Sequence, residues 1–201
     1  MTSARALDTL LSDYVADFVA RNRAAQVLKR GLDEVGVGFS PIADHLTFRT
    51  MDIDRRAEEF LALGYVLSET LDYKDWFAKV YRKPGYPPLF IDQAYPDERG
   101  KTSIVPSWVA KFGDKTLHHI AVKVEDIERA MAQMQRQGVR FAGKIVGERG
   151  GALRQIFTEP EQVDGVFFSV LELTERHEGF QGFSPPQADG LMRSTEPASK
   201  K

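Results

Sequence analysis

The sequence predicts an α+β fold, in which two β-α-β-β-β modules form an incomplete barrel around a metal cleft after an N-terminal helical extension. Two observations carry this expectation. The chain repeats itself at an offset of 74 residues without a gap: His45 aligns with His119 (119 − 45 = 74), Asp52 with Asp126 and Gly64 with Gly138. A repeat of that size is one supersecondary unit used twice, because a solenoid needs three or more shorter units. Within each copy, one strand pattern opens the unit, a helix pattern follows and three strand patterns close it. Two copies that each place a histidine on the first strand can bring those histidines together at a pseudo-twofold axis.

The elements follow in order. Over residues 5–35, Leu7, Leu10, Leu11, Tyr14, Val15 and Phe18 fall at three- and four-residue spacing, the stripe of one or two amphipathic helices. HLTFRT (45–50) is a strand; Asp52 then caps a helix that runs to Gly64. YVLSET (65–70), WFAKVYR (76–82) and PLFIDQ (88–93) complete the first module. A connector from Ala94 to Thr116 holds a short helix at SWVAKF. The second module repeats the plan with HHIAVKV (118–124), a helix from Asp126 to Gln137, VRFAGKI (139–145), ALRQIFTE (152–159) and VFFSVLEL (166–173). The organisation is therefore an extension at 1–38, paired modules over 39–183 (39–94 and 117–183) and a tail at 184–201. That tail is rich in Pro, Ser and charge and reads as disordered or loosely draped.

Composition narrows the chemistry. The chain has 201 residues, 42% of them hydrophobic, with 13 Phe to fill an interior and a net charge of −2. Nothing in that balance points to nucleic acid or an anionic membrane as partner. The N-terminus carries charges every few residues, which is not a signal peptide, and no stretch approaches the roughly 18 apolar residues of a membrane span. A cytoplasmic protein is expected. There is no cysteine, so disulfides, thiolate ligands and thiol nucleophiles are excluded and any transition metal needs N or O ligands.

Strand alternation puts His45, Thr47 and Arg49 on one face, and His119, Ala121 and Lys123 on the matching face of the second module. On the last strand Glu172 interrupts an otherwise apolar run. Burying that carboxylate is costly unless a cation compensates, and a metal shared with His45 and His119 would do so. Two His and one carboxylate with open positions suit Fe(II), although Mn, Co, Ni or Zn fits the same donors. The alternatives are core histidines bonded to backbone and a surface glutamate. Phe90-Ile91-Asp92 matches Val170-Leu171-Glu172 at an offset of 80 (172 − 92), with six extra residues in a longer hairpin (80 − 74), so Asp92 or Gln93 is a candidate fourth ligand beside the plainer reading of a strand-end polar residue. Arg49 suits a substrate carboxylate or, alternatively, an ion pair with a cleft carboxylate such as Glu172. Gln155 can place an amide in the cleft while Arg154 faces away; His118 reads as structural, and His177 lies beyond the last strand. Tyr73, Trp76, Phe180 and Phe183 are candidate pocket walls.

LHHIAVKVEDIERAMAQMQRQGVRF resembles the module opening of the vicinal oxygen chelate (glyoxalase-fold) superfamily. GERGGALRQIFTEP and VFFSVLELTERHEGFQGF, within residues 147–183, are similar to the C-terminal part of 4-hydroxyphenylpyruvate dioxygenases. The helical N-terminus with DHLTFRT and PLFIDQ resembles 2-oxoadipate dioxygenase/decarboxylases, with their His-x-x-x-Arg strand. Both resemblances imply an Fe(II) enzyme that uses molecular oxygen on a 2-oxo acid with decarboxylation. They also imply His45, His119 and Glu172 as iron ligands, Arg49 as a carboxylate binder and Gln155 as a substrate contact. The chain departs from both families in being much shorter. A metal-dependent isomerase, epimerase or lyase on the same fold is the second reading, and a non-catalytic small-molecule binding module the third.

Overall fold

The computed structural model describes residues 3–114, 116–163 and 167–195. The chain divides into two compact units, Met1–Ala16 with His45–His118 and Asp17–Asp44 with His119–Lys201. Among the described residues there are six α-helices and nine strands, and the sheet is open. No described helix is long and apolar enough to cross a membrane.

The N-terminal extension is two helices, α1 (Ser3–Arg21) and α2 (Arg23–Glu34). Asn22 separates them. Its side chain accepts from Ala25 N–H at 2.9 Å, starting α2, and donates to Ser169 Oγ at 2.9 Å. One buried amide thus ends one helix, caps the next and ties it to a strand.

The first unit holds β1 (Ala43–Arg49), of which it takes the part from His45 onward, then α3 (Ile53–Ala62), β2 (Val66–Asp72), β3 (Trp76–Arg82), β4 (Leu89–Ala94) and α4 (Val105–Phe112). The strand order is β2-β3-β4-β1, with β1 parallel to β4 and the other pairs antiparallel. Asp52 caps α3 as predicted, accepting from Arg55 N–H at 3.1 Å. The helix stops at Gly64, whose φ of +91° suits a residue without Cβ. Ile53, Ala57 and Phe60 bury its inner face, and each of the larger two contributes roughly 1.5–3 kcal/mol. All of β1 is buried.

The second unit repeats the scheme with β5 (Thr116–Val124, entering the unit at His119), α5 (Ile127–Arg136), β6 (Phe141–Val146), β7 (Leu153–Thr158), β8 (Glu161–Val163) and β9 (Phe167–Arg176). Here the order is β5-β9-β7-β6, with β8 on β9. Asp126 caps α5 through Arg129 N–H at 2.8 Å, and Gly138 ends it at φ +83°.

Register corrects the alignment of the closing strands. Thr47 pairs with Phe90 in the first unit, and Ala121 with Glu172 in the second. The true offset on the last strand is therefore 82 (172 − 90), not 80, and Glu172 corresponds to Phe90. Asp92 corresponds to Thr174 (174 − 92 = 82). Ala78 pairs with Asp92 and Gln155 with Thr174, so β7 is displaced by 77 (155 − 78). Of the eight extra residues (82 − 74), three precede β7 and five lie in the connection that carries β8. A second correction concerns the tail. Pro185–Ser194 form α6, which rests on β6 and β7 with Leu191 and Met192 buried. Residues 196–201 lie outside the described part.

Candidate functional site

In the second unit, β5, β9 and β7 lie side by side and project four polar side chains from one face. Glu172, 1% exposed, has its Oε1 as acceptor for Gln155 Nε2–H at 2.7 Å and for Thr174 O–H at 2.6 Å. Its Oε2 stands 3.3 Å from Nε2 of His119. The ring of Phe157 lies 4.9 Å from the His119 ring. Register explains the grouping: Phe157 opposes Glu172 and Gln155 opposes Thr174, so all four point the same way. One carboxylate oxygen is held by two neutral donors, and the other is presented beside an imidazole nitrogen. Such an arrangement suits a divalent cation. Gln155, read from sequence as a substrate contact, spends its amide N–H on Glu172 and so orients that carboxylate.

In the first unit, His45, Thr47 and Arg49 share a face of β1, and all are buried. Phe90 lies beside His45, with ring centroids 6.2 Å apart. Arg49 Nε is 3.7 Å from Asp92 Oδ2, and its guanidinium sits 5.2 Å from the Trp108 ring. Burial pushes the Asp92 carboxyl up to about 7 against the pull of Arg49. Burial likewise lowers Arg49 to about 10, against the charge of Asp92. Arg49 thus has Asp92 as its carboxylate partner within this unit. Gln93, the other candidate ligand, points to the opposite side: its Oε1 accepts from Ile53 N–H at 2.7 Å at the start of α3.

His45 of the first unit and His119 and Glu172 of the second are three buried residues of metal-ligating type. A second acidic group, Asp126, Glu128 and Glu175, has a structural explanation. Glu175 accepts from Ile127 N–H at 2.7 Å, and Arg154 donates to both Glu128 (2.9 Å) and Glu175 (3.3 Å). Burial raises the Glu175 carboxyl, but bonds from Ile127, His177 and Arg154 overcome it and hold the group below its usual range. Arg154 faces away from Glu172, as alternation requires.

His118 packs edge-on to Trp108 at 5.4 Å, and His177 is bound to Glu175 at 2.6 Å. Tyr73 stacks on Trp76 at 3.6 Å. Phe183 lies beneath Arg176, which makes a bidentate pair with Asp44 (2.8 Å twice) and donates to the Gly182 carbonyl at 2.7 Å. Thr174, whose hydroxyl donates to Glu172, is the member of this cluster that sequence reasoning missed. Its signal was available, two positions after Glu172 on the same strand face.

Residues 44–157 match the family described as the Glyoxalase/Bleomycin resistance protein/Dioxygenase superfamily. No curated protein matches the chain. Among solved structures, a presumed hydrolase from Shewanella frigidimarina NCIMB 400 is 19% identical with a TM-score of 0.72, over 89% of this chain and 97% of that one. A mutant 4-hydroxymandelate synthase from Streptomyces coelicolor is 18% identical with a TM-score of 0.61, over 81% of this chain and 55% of that one. Methylmalonyl-CoA epimerase from Mycobacterium tuberculosis is 22% identical with a TM-score of 0.52, over 76% and 96%. Likeness at these identities is likeness of fold.

Proposed function

Because the chain belongs to the glyoxalase/bleomycin resistance protein/dioxygenase superfamily, we propose that it is a non-haem Fe(II)-dependent dioxygenase that oxidises a 2-oxo acid with release of CO₂. The observation that carries this reading is the phenyl ring of Phe90 at the place where β9 has Glu172. A four-ligand isomerase or epimerase site calls for a second carboxylate on the first module. That position is apolar here, and the neighbouring carboxyl, Asp92, is engaged with Arg49. Three protein ligands leave open positions for substrate and oxygen.

His45, His119 and Glu172 would hold the ion. Their donors, two imidazoles and a carboxylate with one oxygen already bonded, fit Fe(II) and equally Mn, Co, Ni or Zn. Bound Fe(II) supplies the electron transfer to oxygen that side chains lack. The protein's own residues do the rest. Gln155 and Thr174 hold the Glu172 carboxylate in one orientation. Arg49, balanced by Asp92, orients the polar end of a substrate of the 2-oxoadipate or arylpyruvate kind. Buried apolar residues such as Phe90, Phe157 and Phe168 keep water out.

Oxygen uptake by Fe(II)-loaded protein, measured with 2-oxoadipate, 4-hydroxyphenylpyruvate and related 2-oxo acids, tests the reading. Substrate-dependent uptake matched by CO₂ release is the expected result. Iron binding without uptake for any of them would transfer the site to oxygen-independent isomerase or lyase chemistry.

A further inference from the structure

The second unit has a cleft of about 150 Å³ between the start of α2, the end of α5 and the link from β7 to β8. Four charged side chains line it: Arg23, Arg140, Glu159 and Glu161. Arg140 and Glu159 satisfy each other, with Nε 2.5 Å from Oε2. Among the described residues, the side chains of Arg23 and Glu161 form neither a hydrogen bond nor an ion pair. Glu161 acts on Arg140 only through space. The cleft therefore presents one uncommitted cation and one uncommitted anion.

Contacts at Ser169 bring the two charges to the same place. Asn22, the residue before Arg23, donates to Ser169 Oγ at 2.9 Å, and Glu161 pairs with Ser169 between β8 and β9. Arg23 lies over Gly138, where a Cβ would stand 3.0 Å from its Nη2. The glycine that ends α5 thus also leaves room for the guanidinium. Arg23 is the first residue of α2, whose first turn holds no acid. A cation there opposes the helix dipole, and a bound carboxylate offsets the mismatch. Thr158, 1% exposed, also lines the cleft; its hydroxyl accepts from Leu171 N–H at 3.0 Å and keeps its own hydrogen to donate. Thr158 follows Phe157 on β7, so it points to the face opposite Glu172, and the cleft is separate from that cluster.

We propose that this cleft binds a small free α-amino acid, with its carboxylate on Arg23 and its ammonium on Glu161. The two charges of such a molecule match, in sign and number, those that the cleft leaves uncommitted. A simple anion would face the carboxylates of Glu159 and Glu161, and a simple cation would face Arg23. The planar fork of Arg23 suits a carboxylate. The volume is about five times the share of one water in the liquid, which admits alanine or serine and not an aromatic amino acid. This site goes beyond the proposed reaction and does not depend on it.

The test is titration of the full chain with L-alanine, propionate and ethylamine, followed by calorimetry and by backbone amide resonances. The three molecules are close in size and carry both charges, the negative one or the positive one. L-Alanine is expected to bind about tenfold or more tighter than the other two, shifting the amides of Ala24, Gly138 and Thr158. Arg23→Gln should weaken L-alanine about tenfold without weakening ethylamine. Glu161→Gln should weaken L-alanine to a similar extent without weakening propionate. Propionate binding as tightly as L-alanine would overturn the proposal in favour of a plain anion site. No shift at the three amides, or an affinity for L-alanine that survives both substitutions, would overturn the cleft assignment itself.

Discussion

Phe90 occupies on β4 the register position that Glu172 occupies on β9. The two copies of the module therefore contribute unequally: each has its histidine, and one has the acid. Replacing Phe90 with Glu restores the symmetric donor set. Phe90→Glu is expected to tighten Mn(II) binding about tenfold or more in calorimetry and to suppress oxygen uptake, because the fourth ligand closes an open position. The same variant without metal should melt lower, since its new carboxylate is then buried unpaired. Weaker metal binding by Phe90→Glu would show that this position lies outside the ligand sphere.

Thr174 and Gln155 spend their donors on one oxygen of Glu172. Thr174→Val should cost about tenfold in metal affinity while circular dichroism is unchanged. His45→Ala and Glu172→Ala should abolish binding, measured as metal per chain after dialysis. Full metal content in either alanine variant would dismiss the ligand assignment.

Asp92 gives a pH signature. Its folded value of about 7 lies above that of an unfolded aspartate. The sign follows: its contribution to stability is complete below about pH 4 and is lost as pH rises through about 7. Asp92→Asn should remove that decline, flattening the change in unfolding free energy from urea titrations between pH 5 and pH 8 by ~1 kcal/mol or more. A native-like slope in Asp92→Asn would mean that the carboxyl is not the group that titrates.

Helix α6 makes truncation costly. Removing residues from Pro185 onward exposes the surface that Leu191 and Met192 cover, at roughly 1.5–3 kcal/mol for each side chain. Differential scanning calorimetry should show the melting temperature falling by several degrees; an unchanged value would mean that α6 adds no net stability.

Much of this was legible in the sequence, because the repeat aligned caps and stops as well as strands. Asp52 and Asp126 both cap, and Gly64 and Gly138 both end a helix with positive φ. What failed was the pairing of FID with VLE. Both are short apolar runs ending in an acid, and similarity of type concealed a two-residue difference in register that only the ladder decides. Helix α6 was hidden by the Pro, Ser and charge content that reads as disorder, whereas proline at the first helical position is favourable. Glu172 was one example of a cleft carboxylate that could pair with Arg49, and the structure places Asp92 beside it, since strand neighbours that are distant in sequence leave no local pattern.

One pair of contacts connects the two copies in another way. Gln93 and Glu175 are counterparts (175 − 93 = 82), and each accepts from the first N–H of its module's helix, Ile53 or Ile127. Both copies carry the same latch between closing strand and helix, neutral in one and charged in the other. The second latch is thereby bound to Arg154 and His177, while the first is indifferent to acid. The amide and the carboxylate accept the same bond there, so the link between closing strand and helix does not depend on the charge of the acceptor.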